Sequence, residues 1–232
     1  MNEQRVPADG KPVSDPRRRE AKAAISLRDA AYEAIKHRII TCAFRPGEYL
    51  NEAFVSASLG IGRTPVHQAI DRLMLEGMVD VMPRKGVIVK PVSLDEIMQI
   101  VEVRLINETY GIRLAAERAE QNEIKHLGDI LARAAQWIDV RNSEQLMLLD
   151  REYHNVLALA SKNHVLADTL SKLHDRSLRF WFISLNRPGH HAHVHKQHEA
   201  ILAAIRDHDP DGAEQAMRIH IEEFRTNLTR SI

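Results

Sequence analysis

Residues 50–73, LNEAFVSASLGIGRTPVHQAIDRL, have the pattern of two short amphipathic helices joined by a turn. The apolar positions of the first helix can share one face: Leu50, Phe54 (or Val55) and Leu59. Gly60 and Gly62 permit the backbone angles of a tight reversal between the helices. Thr64 is predicted to cap the second helix and Pro65 to occupy its first position, where the missing N–H costs nothing.

The second helix is predicted to bury one face and expose another. Its apolar residues recur at helical spacing and should be buried: Val66, Ala69, Ile70 and Leu73. The opposite face keeps groups that can bond bases or phosphates: Arg63, His67, Gln68 and Arg72. The pattern predicts a DNA-binding helix-turn-helix, with a plain helical hairpin as the alternative.

A basic hairpin follows the second helix. Met78–Met82 and Val87–Val89 are typical of short strands, and Pro83-Arg84-Lys85-Gly86 is predicted to form the tip between them. A basic hairpin directly behind a recognition helix is a wing, which can follow a phosphate backbone or enter the minor groove. The wing favours DNA binding over the plain hairpin, with Arg84 and Lys85 as contacts.

Three segments of this region resemble the winged helix-turn-helix of GntR-type bacterial transcription regulators. They are Gly62-Arg63-Thr64-Pro65-Val66, Ala69-Ile70-x-x-Leu73-x-x-Glu76-Gly77 and Pro83-Arg84-Lys85-Gly86. The resemblance implies that Arg63 and Thr64 contact operator DNA and that Gly86 is the wing-tip glycine. The chain departs from the family at Gly62, where Ser or Thr is usual, and at His67-Gln68, where Arg-Glu is usual. It also lacks an arginine that is common near the middle of the first helix. These departures leave the operator sequence open.

The composition of the whole chain suits a protein of two modest domains, with 232 residues of which 44% are hydrophobic. There is no transmembrane run and no signal-peptide core, and the single cysteine suits a reducing compartment. We therefore expect a cytoplasmic protein with no membrane partner. The formal net charge is zero, but residues 1–91 carry 15 Lys and Arg against 11 Asp and Glu, which supports DNA binding in that half.

We expect three segments along the chain. Residues 1–25 are predicted to be a disordered basic arm, residues 26–91 a winged helix-turn-helix domain, and residues 92–232 an all-helical domain for effector binding and dimerisation. The predicted fold is mainly α, with three helices and a short β-hairpin followed by an antiparallel bundle of about six helices. The bundle helices are predicted at 93–119, 122–140, 143–160, 164–185, 194–207 and 210–229.

Four residues on three of these helices could form a metal site. Asp150 and His154 lie four apart, so both side chains share the inward face of one helix. His198 and His220 also fall among core positions of their helices. Three imidazoles and one carboxylate facing a bundle interior suit a divalent transition metal, although buried histidines are more often satisfied by carbonyl groups.

This second half resembles the FCD-type effector domain of the FadR branch of the GntR family. The resemblance is carried by Asp150-x-x-x-His154, Asn163, His198-x-x-Ile201-Leu202 and His220. It implies that Asp150, His154, His198 and His220 hold zinc, or else nickel or another divalent transition metal ion.

Arg104 is the second candidate in this half. It borders the apolar stripe of its helix, and a guanidinium there needs an anionic partner. A silent ion pair with Glu108, four residues on, is the simplest interpretation. The resemblance implies instead that Arg104 reaches the carboxylate of an effector, and His174 is expected to line the same cavity. The histidine-rich segment Pro188 to His195 is interpreted as a solvated connection.

The sequence thus predicts a non-enzymatic transcription regulator, by default a repressor. It is expected to act as a homodimer on double-stranded DNA with an inverted-repeat operator, controlled by a small carboxylate effector bound at the metal site. Three alternatives stay open. The metal ion itself could be the signal, the cluster could belong to a metalloenzyme, or the four residues could be structural without a metal.

Overall fold

The computed structural model describes residues 26–82, 86–91, 93–184 and 189–229. The predicted arm (residues 1–25) and the wing contacts Arg84 and Lys85 lie outside the described residues. Within the described ranges the structure is mainly α-helical, with one small antiparallel sheet in the first half of the chain. The predicted fold class is confirmed.

Three helices and three short strands build the first part. The helices are α1 (Leu27–Ile40), α2 (Glu52–Leu59) and α3 (Arg63–Leu75), and the strands are β1 (Tyr49–Leu50), β2 (Val79–Met82) and β3 (Gly86–Val89). Strand β3 lies between the other two, antiparallel to both. Helices α1 and α2 have side-chain N-caps, since Ser26 and Asn51 accept hydrogen bonds from amides of the first turn. Gly60 ends α2 in the left-handed conformation with φ +64°.

Some local predictions in this part need correction. Val55 is fully buried whereas Phe54 is 65% exposed, so Val55 supplies the inward position of α2. Helix α3 begins at Arg63 with Gly62 as its N-cap, so the prediction of Thr64 as the cap was wrong. Pro65 occupies the third helical position, which it tolerates because the first four amides of a helix have no partner within it.

Six helices follow in the described residues beyond the sheet. They are α4 (Leu94–Arg118), α5 (Gln121–Ile138), α6 (Ser143–Ala160), α7 (His164–Ser184), α8 (His190–Arg206) and α9 (Pro210–Thr229). Five begin within two residues of the predicted positions. Helix α8 begins four residues earlier than predicted, so the histidines from His190 to His195 lie on a helix and not in a solvated connection.

The two halves share part of their packing. The core of the first part is formed by α1, α2, α3 and the sheet, with Ile35, Val66 and Leu73 fully buried. The same cluster includes Met147 of α6 and Leu178 of α7, so the bundle shares this core, with α7 in contact with α1. A separate core fills the centre of the bundle. No helix in the described ranges is both long and apolar enough to cross a membrane.

Candidate DNA-binding surface and metal site

Helix α3 exposes the polar face that the sequence predicts. Arg63, Thr64, His67 and Gln68 are all exposed, while Val66, Ala69, Ile70 and Leu73 are buried in the core. The apolar residues fix the helix by burial, so its outer face is held in place and is free to meet a ligand.

His67 has a partner on the neighbouring helix. Its Nδ1 lies 3.1 Å from Oε1 of Glu52, and its Nε2 lies 3.7 Å from Oδ2 of Asp71. The hydrogen bond with Glu52 and the two nearby carboxylates raise the pKa of His67. His67 is therefore held between Glu52 of α2 and Asp71 of its own helix.

Arg72 is engaged with its own helix and with α1. Its guanidinium lies 3.6 Å from the ring centroid of Tyr32, and its Nε donates to Oε1 of Glu76 at 3.2 Å. Although half exposed, Arg72 is thus held against the core side of α3. It is a weaker candidate for DNA contact than the four residues of the outer face.

Gly86 begins strand β3 and pairs with Met82, the last residue of β2. It has φ +98°, and a Cβ added there would lie 3.3 Å from the carbonyl oxygen of Leu50. Both the left-handed backbone and the close approach of β1 favour glycine at this position. The wing therefore requires the glycine for its backbone.

Three imidazoles meet inside the bundle. His154 of α6, His198 of α8 and His220 of α9 each offer one nitrogen, and these three atoms lie within 4.8 Å of one another. All three residues are buried. Asp150 lies one turn before His154, and its Oδ1 is 3.6 Å from Nε2 of His198. The structure therefore brings the four predicted ligands together.

The surrounding side chains fix the orientation of these rings. The ring of Tyr153 stacks on His198 at 4.5 Å, and its hydroxyl donates to the carbonyl of the same residue at 2.8 Å. Nδ1 of His220 lies 3.0 Å from the amide oxygen of Gln197. The amide nitrogen of Gln197 donates to Glu223 at 2.7 Å, which fixes the direction of that amide. His220 therefore donates through Nδ1, which leaves Nε2 with its lone pair.

The nitrogens in the cluster are suited to a metal ion. Nε2 of His154 and Nε2 of His198 are buried and have no hydrogen-bond partner among the described residues. An orphaned buried polar atom is costly, and it is rarely kept unless a ligand or an ion satisfies it. Nitrogen and carboxylate oxygen donors are also the set that divalent transition metals prefer. The residues present fit such an ion.

The protonation states agree with this chemistry. Burial, reinforced by the neighbouring imidazoles, lowers the pKa of His198 to about 3 and that of His220 well below its ordinary value. Burial alone would raise the pKa of Asp150, but the adjacent rings of His174, His154 and His198 hold it well below its usual range. Neutral imidazoles beside an ionised carboxylate are the forms that coordinate metals.

Arg104 faces the same interior from α4. It is buried; its Nε donates to Oε1 of Glu108 at 2.5 Å and its Nη1 donates to Ser177 at 3.0 Å. The predicted ion pair with Glu108 is therefore present. A pocket opens beside Arg104, and its lining includes the residues Asp150, His154, His174, His190, His193 and His220.

Glu108 is the residue of this site that the sequence did not identify. Besides Arg104 it contacts His154, whose Nδ1 lies 3.2 Å from Oε2 of Glu108. His174 also belongs to the cluster, since its ring stacks on His154 at 4.3 Å and its Nε2 lies 3.2 Å from Oδ2 of Asp150. The i, i+4 spacing from Arg104 signalled the ion pair, but spacing along one helix carries no information about a contact with α6.

The segment of α7 from His174 to Arg179 contacts both this cavity and the first half of the chain. His174 and Ser177 line the cavity. Asp175, which lies next to His174 and is 1% exposed, forms an ion pair with Lys36 of α1. Arg179 donates to the carbonyl of Lys90, directly after the sheet, at 2.8 Å. Opposite faces of this segment thus contact the two halves of the chain.

Two protein families match the chain. Residues 27–89 match the family described as bacterial regulatory proteins, gntR family. Residues 99–223 match the FCD domain. The first match spans the helix-turn-helix and sheet, and the second spans most of the six-helix bundle.

Curated relatives of similar length are named as transcription regulators. The Nta operon transcriptional regulator of Aminobacter aminovorans is 31% identical over 182 residues, which are 78% of this chain and 84% of that protein. The HTH-type transcriptional repressor RspR of Escherichia coli is 24% identical over 197 residues, or 85% of this chain and 86% of that protein.

Solved structures show the same fold at lower identity. E. coli McbR/YncC has a TM-score of 0.81 at 21% sequence identity, with 89% of this chain and 99% of that chain covered. A GntR transcriptional regulator from Rhodococcus sp. RHA1 has a TM-score of 0.74 at 17% identity, with coverage of 88% and 98%.

Proposed function

This chain belongs to the GntR family of DNA-binding transcription regulators, and we propose that a small carboxylate bound beside a metal ion in its FCD domain controls its affinity for DNA. The chain is a regulator and not an enzyme. The observation that carries the proposal is the convergence of buried imidazole nitrogens, without a hydrogen bond among the described residues, next to a buried arginine at a cavity.

Asp150, His154, His198 and His220 would hold the metal ion. Three imidazoles and a carboxylate suit zinc first, with nickel or another divalent transition metal as alternatives. A bound ion would supply a Lewis-acidic centre that attracts carboxylate oxygens. The buried nitrogens of His154 and His198 would gain the partner that the described residues do not give them.

Arg104 would receive the carboxylate of the effector. Its guanidinium lines the cavity, and Nη2, which takes no part in the hydrogen bonds described for Arg104, can donate to a carboxylate. His174 lines the same cavity and would contact the effector as a neutral ring, because burial lowers its pKa.

The DNA-binding domain would comprise residues 26–91, and the effector and dimerisation domain residues 92–232. Arg63, Thr64, His67 and Gln68 would contact the major groove from α3. The wing, with Arg84, Lys85 and Gly86, would contact the backbone or the minor groove. Arg72, which is committed to Tyr32 and Glu76, is set aside from this surface.

A homodimer would allow two α3 helices to read an inverted repeat. The support is an exposed apolar stripe on α4, where Val103, Ile106 and Tyr110 are 44%, 71% and 57% exposed. These residues stand three and four apart, so they share one face of the helix. A contiguous apolar face of this kind is more often covered by a partner than left in water.

The segment of α7 from His174 to Arg179 would couple the effector to DNA binding. A ligand shifts an equilibrium only by its differential affinity for the two states. A carboxylate that moves Arg104 would also affect Ser177, to which Arg104 donates, and Ser177 lies beside Asp175. The E. coli relatives RspR and GlaR are named repressors, which supports repression that the acid relieves.

The experiment is a DNA-binding titration. A duplex is selected from a random pool by the purified protein, and binding is followed by fluorescence anisotropy with a panel of acetate, lactate, malonate and citrate. We expect at least one acid to change the affinity in wild-type protein and to have no effect in Arg104→Ala. An acid response that survives in Arg104→Ala would contradict the proposed effector site. A response to zinc alone, with no acid, would favour the metal ion as the signal.

A further inference from the structure

We propose that Glu108 is a positioning residue that orients two side chains of the effector site, the metal ligand His154 and the carboxylate receptor Arg104. The inference rests on the proposed metal and effector site and assigns a role to a residue beside it. Glu108 is buried on α4, and its two carboxylate oxygens make separate contacts with these two side chains.

The contact with His154 determines which ring nitrogen can bind a metal. Oε2 of Glu108 lies 3.2 Å from Nδ1 of His154. An ionised carboxylate only accepts hydrogen bonds, so Nδ1 must carry the proton. Nε2 then keeps its lone pair, and it is this atom that is buried without a partner among the described residues. A carboxylate that orients a metal-binding imidazole in this way raises metal affinity.

The contact with Arg104 holds the guanidinium at the cavity. Nε of Arg104 donates to Oε1 of Glu108 at 2.5 Å, and Nη1 donates to Ser177 at 3.0 Å. The hydrogen bonds described for this guanidinium use those two nitrogens and leave Nη2 for a ligand. Glu108 contacts both the metal ligand His154 and the carboxylate receptor Arg104. Loss of its charge should therefore weaken metal binding and acid binding together.

The same atoms allow a different interpretation, in which Glu108 is itself a metal ligand. One nitrogen each from His154 and His174 and one oxygen of Glu108 lie within 4.8 Å of one another. However, each oxygen of Glu108 already has a partner, Nε of Arg104 at 2.5 Å and Nδ1 of His154 at 3.2 Å, and Arg104 is a cation. A divalent cation at that point would face this positive charge, so Glu108 acts through His154 and not on the ion.

The test compares Glu108→Gln with Glu117→Gln, the same change at an exposed position of the same helix. Zinc affinity is measured by competition with a chromophoric chelator, and citrate affinity by calorimetry on the zinc-loaded protein. Glutamine offers one accepting oxygen and one donating amide, so it cannot accept from both partners. We expect zinc affinity to fall roughly 10–100-fold and citrate affinity to fall as well in Glu108→Gln only. Unchanged affinities in a folded Glu108→Gln protein would overturn the role of Glu108.

A measurement on the wild type covers the case in which Glu108→Gln does not fold. Long-range ¹H–¹⁵N NMR of the histidine rings in zinc-loaded protein reports which nitrogen of His154 is protonated. A proton on Nδ1 is expected, and a proton on Nε2 would overturn the inference. Wild-type protein that binds no zinc would instead refute the proposed metal site itself, which separates the two failures.

Discussion

Replacement of Lys36 by methionine should loosen the contact between the two halves of the chain. The Lys36 side chain is 4% exposed, and its ammonium lies between the halves. Nζ donates to the hydroxyl of Tyr32 at 2.6 Å and to Glu76 at 3.1 Å, and it forms an ion pair with Asp175 of α7. Methionine fills a similar volume but provides none of these three interactions.

The cost of this substitution follows from what remains unpaired. Removal of one partner from a buried ion pair costs about 3–5 kcal/mol, because the other charge is left buried. In Lys36→Met, Asp175 retains its ion pair with Arg151, whose Nε and Nη2 lie 2.5 and 3.2 Å from the carboxylate oxygens of Asp175. Glu76 keeps the hydroxyl of Tyr32 at 2.7 Å. We therefore expect the lower end of that range, about 3 kcal/mol.

Thermal unfolding measures this effect. A loss of about 3 kcal/mol corresponds to a decrease in Tm of roughly 6–12 °C for a chain of this size. The control is Lys125→Met, which removes an exposed i, i+4 ion pair with Asp129 and should change stability by about 0.5 kcal/mol or less. If Lys36→Met lowers Tm no more than Lys125→Met does, the buried contact does not stabilise the junction as argued. Acid-dependent DNA binding that stays at wild-type strength in Lys36→Met would refute coupling through α7.

Three further predictions concern other parts of the chain. Burial alone would raise the pKa of Asp175, but Arg151 and Lys36 lower it below 3.8. The ionised Asp175 therefore stabilises the fold above that pH, and this stabilisation is lost on further acidification. In urea melts measured over a pH series, Asp175→Asn should reduce the fall in unfolding free energy on the acid side. Gly60→Ala places a side chain at φ +64° and should cost about 1–2 kcal/mol in the same assay, whereas Gly62→Ala, at φ −59°, should be nearly neutral. Ile106→Glu should shift the protein from dimer to monomer in sedimentation velocity, and a stable dimer of this variant would place the interface elsewhere.

Most of the winged fold could be predicted from local signals. Two glycines and a proline mark the turn and the start of α3, and the 3.6-residue period assigns its buried face correctly. Strand β1 was missed because two residues are too short for any alternation, and its position depends on pairing with β3. The start of α8 was missed because Gly189 and a run of histidines resemble a loop, although the segment continues as a helix.

The candidate site was predictable only where its residues share a helix. Asp150 and His154 stand one turn apart on an apolar face, so periodicity alone brings them together. The approach of His198 and His220 from two other helices required the family resemblance, since spacing within a helix does not fix packing between helices. The contact of Glu108 with His154 of α6 also depends on packing between helices, so it is visible only in the folded chain.

Metal analysis of the purified protein tests the central claim most directly. Wild-type protein and His198→Ala are prepared without chelator, dialysed against zinc and freed of excess metal. Their metal content is then measured by inductively coupled plasma mass spectrometry. The account predicts that the wild type retains an equimolar amount of zinc or another divalent transition metal and that His198→Ala loses it while staying folded. Wild-type protein that retains no metal, or His198→Ala that retains as much as the wild type, would contradict the account.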